Sequence, residues 1–195
     1  LNFSFTESDY LKAEAIKNNY SKQPILLSIG RLVYYKGFEY AIKAMTEIEA
    51  KLLIIGQGPE EKKLRTLINT LNLQNKVFII QPQLKLAPYF LACDIFIFPS
   101  CARSEAFGLV QLEALAAGKP IINTRLQTAV EEVSKHQETG LTVEIKNSQA
   151  LAGAIKQLLS NDELRKKMGL NAQKRYQDYF TQDKYLENIR RVIIN

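Results

Sequence analysis

Short apolar runs alternate with longer amphipathic stretches along most of the chain, and this alternation is what most restricts its fold. The runs fall at residues 25–29, 51–55, 77–80, 95–98, 120–123 and 141–144, each of strand length. Their nearly continuous apolar character requires burial on both faces, the situation of a parallel strand between two layers of helix. The stretches between them supply such layers. Residues 37–49 gather Ala41, Ile42, Ala44, Met45 and Ile48 on one side, and residues 60–71 gather Leu64, Leu67, Ile68 and Leu71. The pattern predicts an α/β fold, a Rossmann-like, doubly wound parallel sheet of about six strands with flanking helices. After the last run come helical patterns over 148–159, 162–176 and 182–194, a helical C-terminal tail rather than a second domain.

Length and composition narrow the function classes. The 195 residues suffice for one substantial core. With 46% hydrophobic and 24% charged residues, the chain reads as globular rather than disordered. No apolar run approaches the roughly 20 residues of a membrane-spanning helix. The opening LNFSFTESDYLKAE is polar and acidic, unlike a secretory signal, and begins like a fragment. Cys93 and Cys101 flank a single apolar run, too far apart for a disulfide, so reduced thiols and a cytoplasmic location are expected. The net charge of +6 comes from Lys and Arg interspersed with acids, which reads as solvated surface and not as a nucleic-acid interface.

Three motifs carry chemistry. In SIGRLVYYKGF the first run leads into Gly30, Arg31 and Lys36, where a glycine admits a ligand to the backbone and two cations suit a diphosphate. A tight turn flanked by solvated cations is the equal alternative. In IIGQGPEEKKL, Gly56 and Gly58 follow the second run, and Pro59 occupies a first helical turn. Glu61 stands where a dinucleotide fingerprint needs its third glycine, so a structural turn is favoured over ligand contact.

The third motif, SCARSEAFGLVQLEALAAGKPIINT, predicts a loop leading into a helix over 107–117. The free N–H groups of Phe107, Gly108, Leu109 and Val110 would then attract an anion. Glu105 and Glu113 stand roughly 12 Å apart at helical rise. Each can accept hydrogen bonds from neighbouring hydroxyls. The plainer alternative makes Glu105 an acid favoured by the helix dipole and Glu113 an exposed polar position, although Glu113 lies among Leu, Val and Ala, where a carboxylate is costly.

Taken together, GRL with KG, GxGP, and the Glu105-to-Glu113 spacing with its flanking glycines and lysine resemble the C-terminal donor-binding domain of retaining GT-B glycosyltransferases of group 1, a family that includes many bacterial polysaccharide enzymes. The resemblance runs from about Pro24 to the C-terminus. It implies that Arg31 and Lys36, with Gly30, hold the diphosphate of a nucleoside-diphosphate sugar (UDP-, GDP- or ADP-linked). Glu113 would hold the ribose and Glu105 the transferred sugar, and the backbone of Phe107, Gly108 and Leu109 would complete the phosphate cradle. Catalytic weight would fall on Glu105, Arg31 and Lys36, which meet charge as the glycosidic bond breaks. The resemblance implies no required cofactor or metal, and His136 reads as a surface residue. It further implies an N-terminal acceptor-binding domain of the same protein, joined through residues 1–23 as an interdomain connection and reached by the 182–194 helix, a sugar or lipid-linked acceptor, and contact with the cytoplasmic face of the inner membrane through that missing domain.

The segment 122–143 is similar to a piece of bacterial O-antigen and capsule transferases, including Thr128. Ala129 and Glu131 depart from the glycine and proline usual there, and Gln81 from a glycine near the expected base pocket. A GT-B sugar-nucleotide epimerase and a binding module without transferase activity are the competing functions. A nicotinamide-dependent dehydrogenase is disfavoured by the incomplete glycine fingerprint.

Overall fold

The structure, a computed structural model, describes residues 3–184. Its strands are β1 (Ile25–Ile29), β2 (Lys51–Ile55), β3 (Val77–Ile80), β4 (Ile95–Phe98), β5 (Ile121–Thr124) and β6 (Gly140–Val143). They form one sheet in the order β3-β2-β1-β4-β5-β6, parallel throughout. This is the doubly wound order, in which the chain leaves β1 toward one edge and returns across it to β4. The loops at the carboxyl ends of β1 and β4 therefore run apart and open a crevice between them.

Helices cover both faces: α1 (Glu7–Asn19), α2 (Phe38–Ala44), α3 (Glu61–Thr70), α4 (Ala87–Ala92), α5 (Val110–Ala116), α6 (Val130–Val133), α7 (Ser148–Leu159) and α8 (Asp162–Tyr179). The alternation of side chains along each strand divides the core in two. Leu26, Leu52, Ile54, Ile95 and Ile97 face the layer made by α2, α3 and α7. Ile25, Leu27, Leu53, Ile55, Phe96 and Phe98 face the layer that includes α4, α5 and α6. All eleven are essentially inaccessible to water. Helix α8 crosses from one layer to the other, with Met168 in the first core and Ala172 and Tyr176 in the second. The tail is thus a helical wrap over the sheet.

Polar groups tie the central strands together. Asp94 accepts a hydrogen bond from the Ile25 N–H at 2.8 Å, and the buried Ser28 hydroxyl donates to the Ile97 carbonyl at 2.7 Å. Both bonds join β1 to β4 below the crevice. Such buried groups would each cost about 1–3 kcal/mol if left unpaired.

Several elements depart from the sequence pattern. The helix expected over 37–49 ends at Ala44 and continues as a single 3₁₀ turn, Met45–Glu47. Helices α4 and α6 span six and four residues, too short to show a period. Helix α1 lies within the segment read as a connection. It buries only Asp9 and Ala13, so an apolar stripe is missing from its sequence. Its legible signal is the capping box, in which Thr6 and Asp9 bond each other's backbone N–H groups. Packed on α4, α1 belongs to the same body as the sheet. Nearly all of the helix expected over 182–194 lies outside the described residues. Among the described residues no helix is long and apolar enough to cross a membrane, and Cys93 and Cys101 are free and buried.

Candidate functional site

The site begins where β1 stops. Its loop is laced to the loop after β2: the Gly30 N–H donates to Ile55 at 3.0 Å, the Leu32 N–H to Gln57 at 2.9 Å, and the Glu60 N–H back to Leu32 at 3.0 Å. The chain then forms a 3₁₀ turn, Tyr34–Lys36, and enters α2 through Gly37 in the left-handed region at φ 66°. A Cβ on Gly37 would lie 2.0 Å from the Pro99 carbonyl oxygen, so only glycine lets this turn press against the loop after β4. The Cys101 N–H donates to the Tyr35 carbonyl at 2.7 Å and fastens the two loops. Sheet topology has brought the ends of β1 and β4 side by side.

That contact delivers Lys36 to Glu105. The ammonium forms an ion pair and hydrogen bond with Glu105 Oε2, and the two side chains are only 15% and 11% exposed. The same ammonium sits over the Phe98 and Tyr35 rings, at 5.2 and 5.7 Å from their centroids. Desolvation is costly for both charges and is offset by the pairing, by the rings and by further hydrogen bonds. One such bond comes from Ser100, whose hydroxyl donates to Glu105 Oε2 at 3.2 Å. The Glu105 carbonyl accepts from the Thr128 hydroxyl at 3.0 Å. Gly30 completes the cluster, since a Cβ there would lie 3.4 Å from Lys36 Cε.

Beyond Glu105 the structure corrects the expected helix. Gly108 adopts φ 73°, and a Cβ on it would lie 2.5 Å from Phe98 Cζ. The left-handed residue interrupts helical geometry, so α5 starts at Val110 and has seven residues. The Gln111 and Leu112 N–H groups donate to Gly108 and Leu109 as turn bonds, both at 2.9 Å. The N–H groups of Phe107, Gly108, Leu109 and Val110 donate to no described residue. The unpaired donors are those the sequence selected, but a glycine-centred turn presents them, not the first turn of a helix over 107–117. Leu109 is exposed, and the Phe107 ring rests against Phe180 at 6.4 Å.

Glu113 lies on α5, half-buried, and its carboxylate pairs with no described residue. Burial alone pushes its pKa up from the usual carboxylate range. Arg31 is exposed and lines a cleft of ≈ 620 Å³ at the carboxyl ends of β1 and β2. Its walls include Ile29, Gly30, Gly56, Gln57, Gly58, Pro82, Gln83 and Leu86. The structure therefore joins Gly30, Lys36 and Glu105 directly and sets Arg31 at the cleft with Gly30. Among the described residues no hydrogen bond or ion pair links Glu113 to the others.

Sequence reasoning missed Gln57, Pro82, Gln83, Leu86 and Ser100. The IIGQGP motif held the signal for the first of these, and its glycines serve packing as well. Cβ atoms on Gly56 and Gly58 would meet the Gly30 and Leu32 carbonyl oxygens at 1.9 and 2.4 Å. Ser100 is a single serine without a pattern. Gln81 stands beside the cleft's Pro82 and bonds outward to Glu61 at 3.4 Å. Ala129 occupies the ordinary right-handed region at φ −65°, so glycine is not needed there. Gln127 takes the left-handed turn at φ 54°, and Glu131 accepts its N–H at 2.7 Å. His136 is exposed, and its Nδ1 accepts the Thr142 N–H at 2.9 Å.

A family model described as "Glycosyl transferases group 1" matches residues 10–175. The chain belongs to the group 1 glycosyl transferase family. Relatives within reach include the O-antigen chain mannosyltransferase C of Escherichia coli, 30% identical over 83% of this chain and 44% of that protein. The D-rhamnosyltransferase WbpZ of Pseudomonas aeruginosa is 33% identical over 80% of this chain and 41% of its own length. The chain thus spans less than half the length of these curated relatives. Among solved folds, HepE of Anabaena in complex with UDP superposes with a TM-score of 0.89 at 22% identity, covering 97% of this chain and 53% of that one. The C-terminal domain of the group 1 glycosyl transferase LpcC from Francisella tularensis gives 0.77 at 23% identity, covering 92% and 96%. At these identities the likeness is one of fold.

Proposed function

We propose that the chain is the donor-binding half of a retaining glycosyltransferase that moves a sugar from a nucleoside diphosphate to an acceptor hydroxyl in bacterial surface-polysaccharide synthesis. The observation that carries this reading is the junction of Gly30, Lys36 and Glu105 at the β1–β4 crevice, beside a cleft sized for a small ligand. The base and ribose occupy the cleft side, with Gln57 and Gln83 as amide partners and Glu113 on the ribose hydroxyls. Arg31, Lys36 and the free N–H groups of Phe107, Gly108 and Leu109 take the diphosphate. Glu105 receives the hydroxyls of the transferred sugar.

The chemistry follows from charge. As the glycosidic bond breaks, the diphosphate gains negative charge and the sugar takes on oxocarbenium character. Two cations and a set of unpaired N–H groups meet the first, and the Glu105 carboxylate lies beside the second. The acceptor, a sugar or lipid-linked glycan, enters from an N-terminal domain of the full-length protein at the cytoplasmic face of the inner membrane. The relatives named as O-antigen and rhamnose transferases and the fold likeness to a UDP-bound protein support this reading.

Titration calorimetry with UDP, GDP and ADP tests it. One of the three should bind, and Lys36→Ala and Glu113→Ala should each weaken that binding. Failure of all three to bind, or affinity indifferent to both substitutions, would overturn the reading.

A further inference from the structure

Glu105 is held at three points and left open at one. Its Oε2 takes Lys36 and the Ser100 hydroxyl, and its main-chain carbonyl takes the Thr128 hydroxyl at 3.0 Å. Its Oε1 pairs with no described residue and is not sealed from solvent. Ser100 is fully buried, and its own carbonyl accepts a hydrogen bond from Thr124, the last residue of β5. Two threonine hydroxyls from one stretch of chain thus grip the carbonyls of Ser100 and Glu105. That stretch is itself braced, since Glu131 caps the Gln127 N–H at 2.7 Å.

Building on the donor-site reading above, we propose that Ser100 and Thr128 are positioning residues that aim Glu105 Oε1 at the transferred sugar. A glutamate in a loop samples several rotamers, and a misdirected carboxylate loses its hydrogen bonds to a sugar edge. Lys36 alone cannot hold it, because a bound diphosphate competes for the ammonium. Ser100 then becomes the remaining donor on Oε2, while Thr128 fixes the backbone from which the side chain springs. A free carboxylate oxygen with two lone pairs accepts from a pair of neighbouring hydroxyls and repels a carboxylated sugar.

The test compares calorimetric affinities of the 195-residue chain for UDP against UDP-glucose and UDP-N-acetylglucosamine, and for GDP against GDP-mannose. One sugar should add affinity over its bare diphosphate. Thr128→Val, which keeps the shape and removes the hydroxyl, should cost that nucleotide sugar roughly tenfold in affinity and leave the bare diphosphate within about twofold. Thr128→Ser should restore the wild-type value, an outcome that a purely structural role would not single out. Ser100→Ala supplies the same comparison from a second position should Thr128→Val melt early. Equal weakening of diphosphate and nucleotide sugar, failure of Thr128→Ser to restore, or a wild type that gains nothing from any of these sugars would overturn the proposal. Each of these outcomes leaves wild-type diphosphate binding, and the reading beneath it, in place. Absence of diphosphate binding in the wild type would remove both.

Discussion

Lys36 and Glu105 are 69 residues apart in sequence and meet as an ion pair where the loops of β1 and β4 converge. The pair is mostly withdrawn from water, so each charge offsets the desolvation of the other. Lys36→Met keeps the aliphatic stem and removes the cation, leaving a largely buried carboxylate with Ser100 as its side-chain donor. The expected loss of stability is roughly 3 kcal/mol. Glu105→Gln should cost less, about 1–2 kcal/mol, because the amide still accepts a hydrogen bond from the lysine. Urea unfolding of both variants measures this, and a Lys36→Met chain as stable as wild type would show the pair to be solvated.

Gly37 is the second dependency of the crevice. An alanine there meets the Pro99 carbonyl oxygen at 2.0 Å and must also hold φ 66°. Gly37→Ala is expected to lose at least about 2 kcal/mol and to displace the Tyr34–Lys36 turn. Thermal melts should show the loss, and calorimetry should show weakened binding of whichever diphosphate the wild type prefers.

Glu113 predicts a trade between stability and binding. Burial raises its folded-state pKa above the ordinary carboxylate value, so the folded state holds its proton more tightly than the unfolded chain does. Stability therefore falls as pH rises through the interval between those two values, and the penalty stays constant above it. Glu113→Gln should raise the melting temperature at neutral pH, with the gain fading as pH drops below that interval. The same substitution should weaken nucleotide binding. A melting temperature equal to wild type at every pH would show that desolvation of Glu113 is negligible.

Asn123 on β5 anchors the elements behind the site. Its Nδ2 lies 3.3–3.4 Å from Gln111 Oε1 and the carbonyls of Val130 and Ser134, and its Oδ1 accepts the Thr142 hydroxyl at 2.7 Å. Asn123→Leu strands these buried groups and is expected to cost roughly 2–4 kcal/mol. Hydrogen exchange should accelerate first in Val130–Val133, where the Val130 carbonyl loses its Asn123 donor.

The strands were legible because each is apolar on both faces, as strands between two helical layers must be: four of the six coincide with the apolar runs, and β5 and β6 are each shifted by one residue. Short helices were not: α4 and α6 are shorter than two helical periods, and α1 lacks an apolar stripe. At the site, Glu105, Lys36 and Gly30 stood out through residue type and spacing. Ser100 and Thr128 act by hydrogen bonds to one glutamate from different loops, and nothing in a single sequence marks such a pairing. The start of α5 was misplaced because Gly108, read as helical, takes a left-handed turn packed against the Phe98 ring of β4, where a side chain would not fit.

Periodicity and composition by themselves determined a parallel α/β sheet, its two helical layers and the residue types available to meet an anion and a sugar. Those properties are local, set by the two-residue and 3.6-residue repeats of apolar side chains. Only the tertiary structure decided that Lys36 pairs with Glu105, that Arg31 faces the cleft, and that Glu113 stands unpaired on its helix. These depend on the crossover between β1 and β4 and on backbone approaches at Gly37 and Gly108, contacts between segments far apart in the chain.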